Sequence, residues 1–327
     1  MSAERKRDRP VVLVTGISGN LGRTLTKLLH RREPIVGIDR RPFVGAPKDV
    51  EVFQIDLRKK KAEDAFRRYP VKAVIHMGIM HDPRMSQEEH HSFNVVGTTR
   101  ILDACARHGV KKVVVLSSAN VYGPSPDNSN FLTEDAPLMA ASRFSGVRDL
   151  IEVDMLAHGF FWRHPELETV ILRPVHIVGP TIRNAPSNYL RLKHPWVLAG
   201  FDPMVQLVHQ EDAARAMVEA LAPGLRGVYN VVGPGEVPLS AVFRELGRAP
   251  IPVPHVVARP LLSVLFRYRL AGFPPPELDH IQFLCNVDGS AWVRDVHWSP
   301  RYSMRETIRS VEGEMALAPQ PQLPAQA

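Results

Sequence analysis

The chain has 327 residues, 44% hydrophobic and 23% charged, a balance that buries a core and excludes a disordered chain, a collagen-like fibre or a disulfide-scaffolded miniprotein. Lys and Arg (41) exceed Asp and Glu (34) for a net charge of +7. That charge is dispersed, with its densest runs at Glu4–Arg9 and Arg58–Lys61, so it reads as solvated surface and no nucleic-acid partner is expected.

Residues 1–10 are charged and expected to be flexible. From Val11 onward, short apolar runs alternate with helical patterns. Val11–Thr15 (VVLVT) is continuous, as for a strand buried on both faces, and Asn20–His30 places Leu21, Leu25, Leu28 and Leu29 at helical spacing. Strands follow at Ile35–Ile38, Val52–Ile55, Ala73–Met77, Val113–Leu116 and Thr169–Leu172, with long helices over Ser86–His108 and Arg143–Phe161. This alternation predicts an α/β fold built on a doubly wound parallel (Rossmann) sheet. Beyond Arg173, prolines punctuate the chain. A strand at Gln206–Val208, a helix at Asp212–Leu221 and a strand at Val228–Val232 are expected to rejoin the first domain. The expected organisation is a first domain over 11–233, with 176–205 partly in a second lobe, that smaller α/β lobe over 234–313, and a disordered Pro/Gln/Ala-rich tail over 314–327. His255–Phe273 reads as a lid helix with Pro260 in its first turn, or as an amphipathic surface for a membrane or partner. Trp292 and Trp298 are expected to pack the C-terminal lobe.

Cys105 and Cys285 lie far apart and no Cys/His spacing suits a metal, so no metal site is expected. The cysteine usage and the absence of an apolar leader before Val11 suggest a cytoplasmic protein, and no apolar run is long enough to span a membrane.

The strongest motif is Thr15-Gly16-Ile17-Ser18-Gly19-Asn20-Leu21-Gly22, a G-x-x-G-x-x-G turn between a strand and a helix. Gly16 permits the tight turn, Gly19 lets backbone approach a pyrophosphate, and Gly22 lets the helix pack on the strand. Asp39 ends the second strand, where a carboxylate accepts from both adenosine ribose hydroxyls and repels a 2′-phosphate. NAD is therefore favoured, although Arg40 and Arg41 leave NADP open. Asp56 and Leu57 are placed to meet the adenine.

These motifs continue with His76-Met77-Gly78, Asn94-Val95-Val96-Gly97-Thr98, SSANVYG at 117–123, LRPVHIVGP at 172–180 and GVYNVVGPG at 227–235. Together they resemble an extended short-chain dehydrogenase/reductase of the NAD-dependent epimerase/dehydratase family. The resemblance implies that the turn residues Gly16, Ser18, Gly19, Asn20, Leu21 and Gly22, with Asp39, Arg40, Asp56, Leu57, Met77, Gly78, Asn94 and Pro174, line the cofactor site. It implies that Ser118 hydrogen-bonds the substrate. It also implies a Tyr-x-x-x-Lys pair on the helix after the fifth strand. At that spacing this chain has Phe144 and Arg148, followed by Glu152. Phe144 has no proton to exchange; Arg148 keeps a charge for the ribose but stays protonated. His176 stands where the family's substrate-binding Asn stands, and about Val205 where a later Arg holds a diphosphate. His176 is the leading replacement proton carrier, with His81, Asp82 and Tyr122 behind it. Two functions stay open: an oxidoreductase or epimerase with a non-Tyr proton donor, acting on a small molecule, and a dinucleotide-binding regulatory or interaction protein without that chemistry. The long helices are the expected surface for a homodimer.

Overall fold

The computed structural model describes residues 9–80, 85–140, 147–268, 278, 279, 281–283 and 285–313. Residues 1–8 and 314–327, where flexibility is expected, lie outside these, as do His81, Asp82 and Phe144.

Strand β1 (Val11–Thr15) leads through the glycine turn into α1 (Asn20–Leu29), β2 (Ile35–Asp39) and β3 (Glu51–Gln54). Helix α2 (Asp64–Arg68) precedes β4 (Val71–His76). The first long helix is interrupted: α3 (Gln87–His91) runs through a π turn (Ser92–Val96) into α4 (Gly97–Arg107), before β5 (Lys112–Leu116). The second, α5 (Arg148–Arg163), leads to β6 (Glu168–Pro174) and β7 (His176–Val178). Then come α6 (Ala185–Leu190), β8 (Trp196–Leu198), β9 (Met204–His209), α7 (Gln210–Glu219) and β10 (Gly227–Val231). The remainder is β11 (Glu236–Pro238), α8 (Leu239–Glu245), β12 (Ile251–Val253), α9 (His255–Arg267), α10 (Ser290–Val296) and α11 (Met304–Arg309).

Seven strands form one sheet in the order β10-β6-β5-β4-β1-β2-β3, every neighbouring pair parallel. Strand order reverses between β1 and β4, and in such sheets the carboxyl ends at the reversal open a crevice where ligands bind. The two-residue period of a strand explains the two cores. Val11 and Leu13 point to a face shared with Ile38, Val74, Val113, Phe160 and Ile171. Val12 and Val14 point to the other, with Leu25, Leu29, Ile75, Val114 and Met217. A strand covered on both faces is mostly apolar, as the continuous VVLVT run of β1 is, whereas the edge strand β3 (EVFQ) is largely exposed.

The strand expected at 206–208 does not rejoin this sheet. As β9 it pairs with β7 and β11 in a separate three-stranded sheet. The reason is packing: Leu207 and Val178 join Leu239, Val242, Phe243 and Ile308 in a core of their own. Trp292 and Trp298 also differ from expectation, since they pack in the main sheet's core beside Tyr229 and Met217. Helix α9 starts at His255, so Pro260 lies inside it and removes one backbone hydrogen bond there. Its Ala258 and Leu262 pack on Leu198 and Leu278. No described helix is long and apolar enough to cross a membrane.

Candidate active site

The crevice at the β1/β4 reversal is a cleft of about 990 Å³, open mouth included. It is floored by Gly16, Gly19, Asn20, Leu21 and Gly22 and walled by Asp39, Arg40, Arg41, Leu57, Met77 and Gly78. Gly16 has φ +73°, and a Cβ there would stand 2.7 Å from the Met77 carbonyl oxygen. A Cβ on Gly22 would stand 2.5 Å from the Gly16 carbonyl oxygen, so only glycine lets α1 sit this close to the turn. Helix α1 has Gly19 as its N-cap, no capping side chain and no acid in its first turn. Its leading N–H groups and partial positive charge are left for an anion. The cradle fits a pyrophosphate.

Asp39 is 5% exposed. Its Oδ2 accepts from the Ser18 N–H (3.0 Å) and its Oδ1 from the Arg41 N–H (2.9 Å). The Ser18 hydroxyl donates to the Arg41 carbonyl (3.0 Å), so Ser18 shapes the turn rather than lining the cleft. The Arg40 guanidinium sits 5.4 Å over the Phe93 ring, which also lines the cleft. Asp39, Arg40 and Arg41 thus bring a carboxylate and two cations to one wall of the cleft.

Besides Ser18 and Arg148, three expected cofactor contacts are not in this lining. Asp56 is gripped by Arg58, whose Nη2 donates at 2.7 Å, and this pairing holds its carboxyl below the usual range; Leu57 alone reaches the cleft. Asn94 accepts from the Met80 N–H (2.7 Å) and donates to the Met80 carbonyl (2.8 Å). It therefore clamps the segment leaving β4 from the π turn, and Met80 and Phe93 line the cleft in its place. Pro174 is buried at the end of β6 opposite Val231.

A buried relay supports the floor. Thr15 Oγ1 accepts from the Met77 and Gly78 N–H groups (3.2 Å each), so its own proton goes to His76 Nδ1 (2.7 Å). The other ring nitrogen must then carry a hydrogen, toward Thr98 Oγ1 at 2.9 Å. Burial drives the His76 pKa down to about 4, so the ring is neutral in this chain of bonds.

Beyond β5, Ser118 caps the 3₁₀ turn Ala119–Val121, its Oγ accepting from the Asn120 N–H (3.1 Å). Ser117 donates to Asp154 (2.6 Å), which holds Arg173 through Nε (2.9 Å) and Nη2 (2.7 Å). Arg173 Nη1 donates to the Tyr122 hydroxyl (2.8 Å), which donates to Asn230 Oδ1 (2.8 Å). Tyr122 is 1% exposed, burial raises its pKa, and its hydroxyl ties Arg173 to Asn230. The sequence reading missed this network, because a charged pair inside a core leaves no periodic signal.

A smaller cavity lies beside the turn, lined by Asn120, Val175, His176, Gln206 and Cys285 among others. His176 also lines the apolar cleft described below, so it stands where the two meet. Burial lowers its pKa to about 4. Cys285 was not singled out from sequence; burial pushes its thiol up to about 12, which keeps it protonated and unreactive. Arg148 opens α5, is exposed and does not line the cofactor cleft. Below it, His91 lies 3.5 Å from both Asp149 and Glu152, tying α3 to α5. These three could present ligand atoms to a metal, although His91 and Glu152 are largely solvated.

Comparison with known proteins agrees with this architecture. An uncharacterised protein of Mycobacterium tuberculosis is 29% identical over 254 residues, covering 75% of this chain and 68% of the relative. A UDP-glucose 4-epimerase of Bacillus subtilis is 31% identical over 157 residues, 43% of this chain and 45% of the relative. The crystal structure of dTDP-glucose 4,6-dehydratase from Bacillus anthracis with NAD superposes with a TM-score of 0.71 at 17% identity, covering 93% of this chain and 96% of that one. That of Thermus thermophilus UDP-glucose 4-epimerase with NAD gives 0.69 at 23% identity, covering 92% and 97%. The sequence profile of one family spans residues 12–232, the whole main sheet and the turn at its centre, and the chain belongs to that family, the NAD dependent epimerase/dehydratases.

Proposed function

We propose that this chain binds NAD in the β1/β4 cleft and is an oxidoreductase- or epimerase-type protein that works without a tyrosine acid. The observation that carries the reading is the uncapped N-terminus of α1 over Gly16 and Gly22, with the Asp39 carboxylate in the same cleft. The turn would hold the pyrophosphate and Asp39 the adenosine ribose, which favours NAD over NADP despite Arg40 and Arg41. Bound NAD supplies hydride exchange with an alcohol or carbonyl carbon. The chain's own part is to hold that carbon near Asn120 and His176 and to exclude water. Solved structures of this fold carry NAD, which supports the choice. Calorimetric titration with NAD and NADP tests the cofactor; no binding of either removes the reading.

A second reading, a dinucleotide-binding regulatory protein, draws on a specific observation. No described residue of the small cavity titrates near neutrality: His176 sits at about 4 and Cys285 at about 12. The variant Phe144→Tyr with Arg148→Lys separates the two. Turnover by the native protein that His176→Ala abolishes supports the enzyme; turnover seen only in the double variant supports the binding protein. Met155 and Trp162 on α5 are 63% and 70% exposed, which supports the homodimer through the long helices, and sedimentation tests it.

A further inference from the structure

Next to His176 a second cleft opens between the small lobe's sheet and α6, about 630 Å³ with its mouth included. Its wall is apolar: Leu190, Val205, Leu207, Leu239, Val242 and Ile281. Tyr189 lines it too, but its hydroxyl donates to the Trp196 carbonyl (2.6 Å). Gln206, at the border with the small cavity, holds both backbone groups of Val287, through Nε2 (3.0 Å) and Oε1 (2.8 Å). The neighbouring helix end is largely committed within the chain. Asn184 caps α6, accepting from the Ser187 N–H (2.9 Å), and Pro186 has no N–H to give. No described lining residue carries a positive charge. Arg191 donates to the carbonyls of Val311, Ile182 and Gly179, and Arg183 to those of Pro180 and Ile182.

A nucleotide sugar brings the two negative charges of its diphosphate and a polar sugar, and burying those without partners is costly. An aliphatic or alicyclic body gains free energy on this wall in proportion to its buried area. We propose that this cleft takes a neutral, apolar substrate, its hydroxyl or carbonyl group at the His176 end and its hydrocarbon body along the wall, in place of a nucleotide sugar. The proposal rests on the NAD-binding reading for its chemistry and stands apart from it for binding.

The test uses the native full-length protein, first titrated with NAD, then with straight-chain 2-alkanones from five to nine carbons and with UDP-glucose. Alkanone affinity should tighten about three- to fourfold for each added methylene, and UDP-glucose should not bind below millimolar concentration. Val205 is half-buried on β9, so Val205→Arg is the matching variant. It should weaken the longest alkanone tenfold or more while NAD affinity holds. Micromolar UDP-glucose binding overturns the proposal, as does an alkanone series without chain-length dependence. If NAD fails to bind while the alkanone series behaves as described, the cofactor reading falls and the apolar cleft stands.

Discussion

Replacing Tyr122 by Phe removes one oxygen from the buried network and asks whether that hydroxyl belongs to the frame or to the chemistry. The lost bonds are a donation to Asn230 (2.8 Å) and an acceptance from Arg173 (2.8 Å). A neutral buried bond contributes about 1 kcal/mol and one from a cation about 1.5–3 kcal/mol. Arg173 keeps Asp154 and the Glu134 carbonyl (2.9 Å), and Phe fills the space of the ring, so the lower part of that range applies. Asn230 is fully buried and its Oδ1 loses this donor. We expect a loss of about 2–3 kcal/mol, equivalent to roughly 3–4 °C in Tm for a chain of 327 residues. Urea and thermal unfolding with saturating NAD read the loss, and titration of NAD should show unchanged affinity. A stability loss under about 0.5 kcal/mol with abolished turnover and intact NAD affinity would refute the argument and make Tyr122 the proton donor after all.

Other substitutions test the remaining features. Gly22→Ala places a Cβ 2.5 Å from the Gly16 carbonyl oxygen, so NAD affinity should fall about 100-fold with the fold retained by circular dichroism. Asp39→Ser should weaken NAD about tenfold and bring NADP to comparable affinity, since Arg40 and Arg41 then meet the 2′-phosphate unopposed; an unchanged preference in competition titrations would deny Asp39 its role. His76 and His209 both have folded pKa values near 4, below the unfolded value of 6.5. Between those values the unfolded chain binds more protons, so stability is complete above about pH 6.5 and falls as pH drops toward 4. The slope should approach about 1.4 kcal/mol per pH unit for each ring. Urea midpoints from pH 7 to 5 that stay flat would contradict their burial as neutral rings.

What could be read from sequence was what repeats or punctuates. Strands buried on both faces give unbroken apolar runs such as Val11–Thr15, and the turn at Gly16–Gly22 is marked by glycines that geometry demands. The π turn over Ser92–Val96 was hidden, because it keeps helical composition and differs only in where Asn94 points. Asp56 was placed at the right strand end, but the local contact with Arg58 decides what its carboxylate does. Strand β9 has a strand's sequence, yet nothing local says which sheet it joins; the contact of Leu207 with Val242 and Phe243 does. The Tyr122–Asn230 bond and the walls of the apolar cleft join segments far apart in the chain, and no window of sequence contains them.

The absence of tyrosine at position 144 takes on a sharper meaning once the neighbouring groups are placed. Phe144 carries no exchangeable proton, Tyr122 is tied into the frame, and His176 and Cys285 titrate far below and far above neutrality. A general acid or base works best with a pKa near the operating pH, and among the described residues of the small cavity none has one. Any proton taken up or released there between pH 6 and 8 then passes to solvent, or through a neutral hydrogen bond to His176. The pH profile of kcat should show no inflection near 7. A bell centred there would require a titrating group that these residues do not supply.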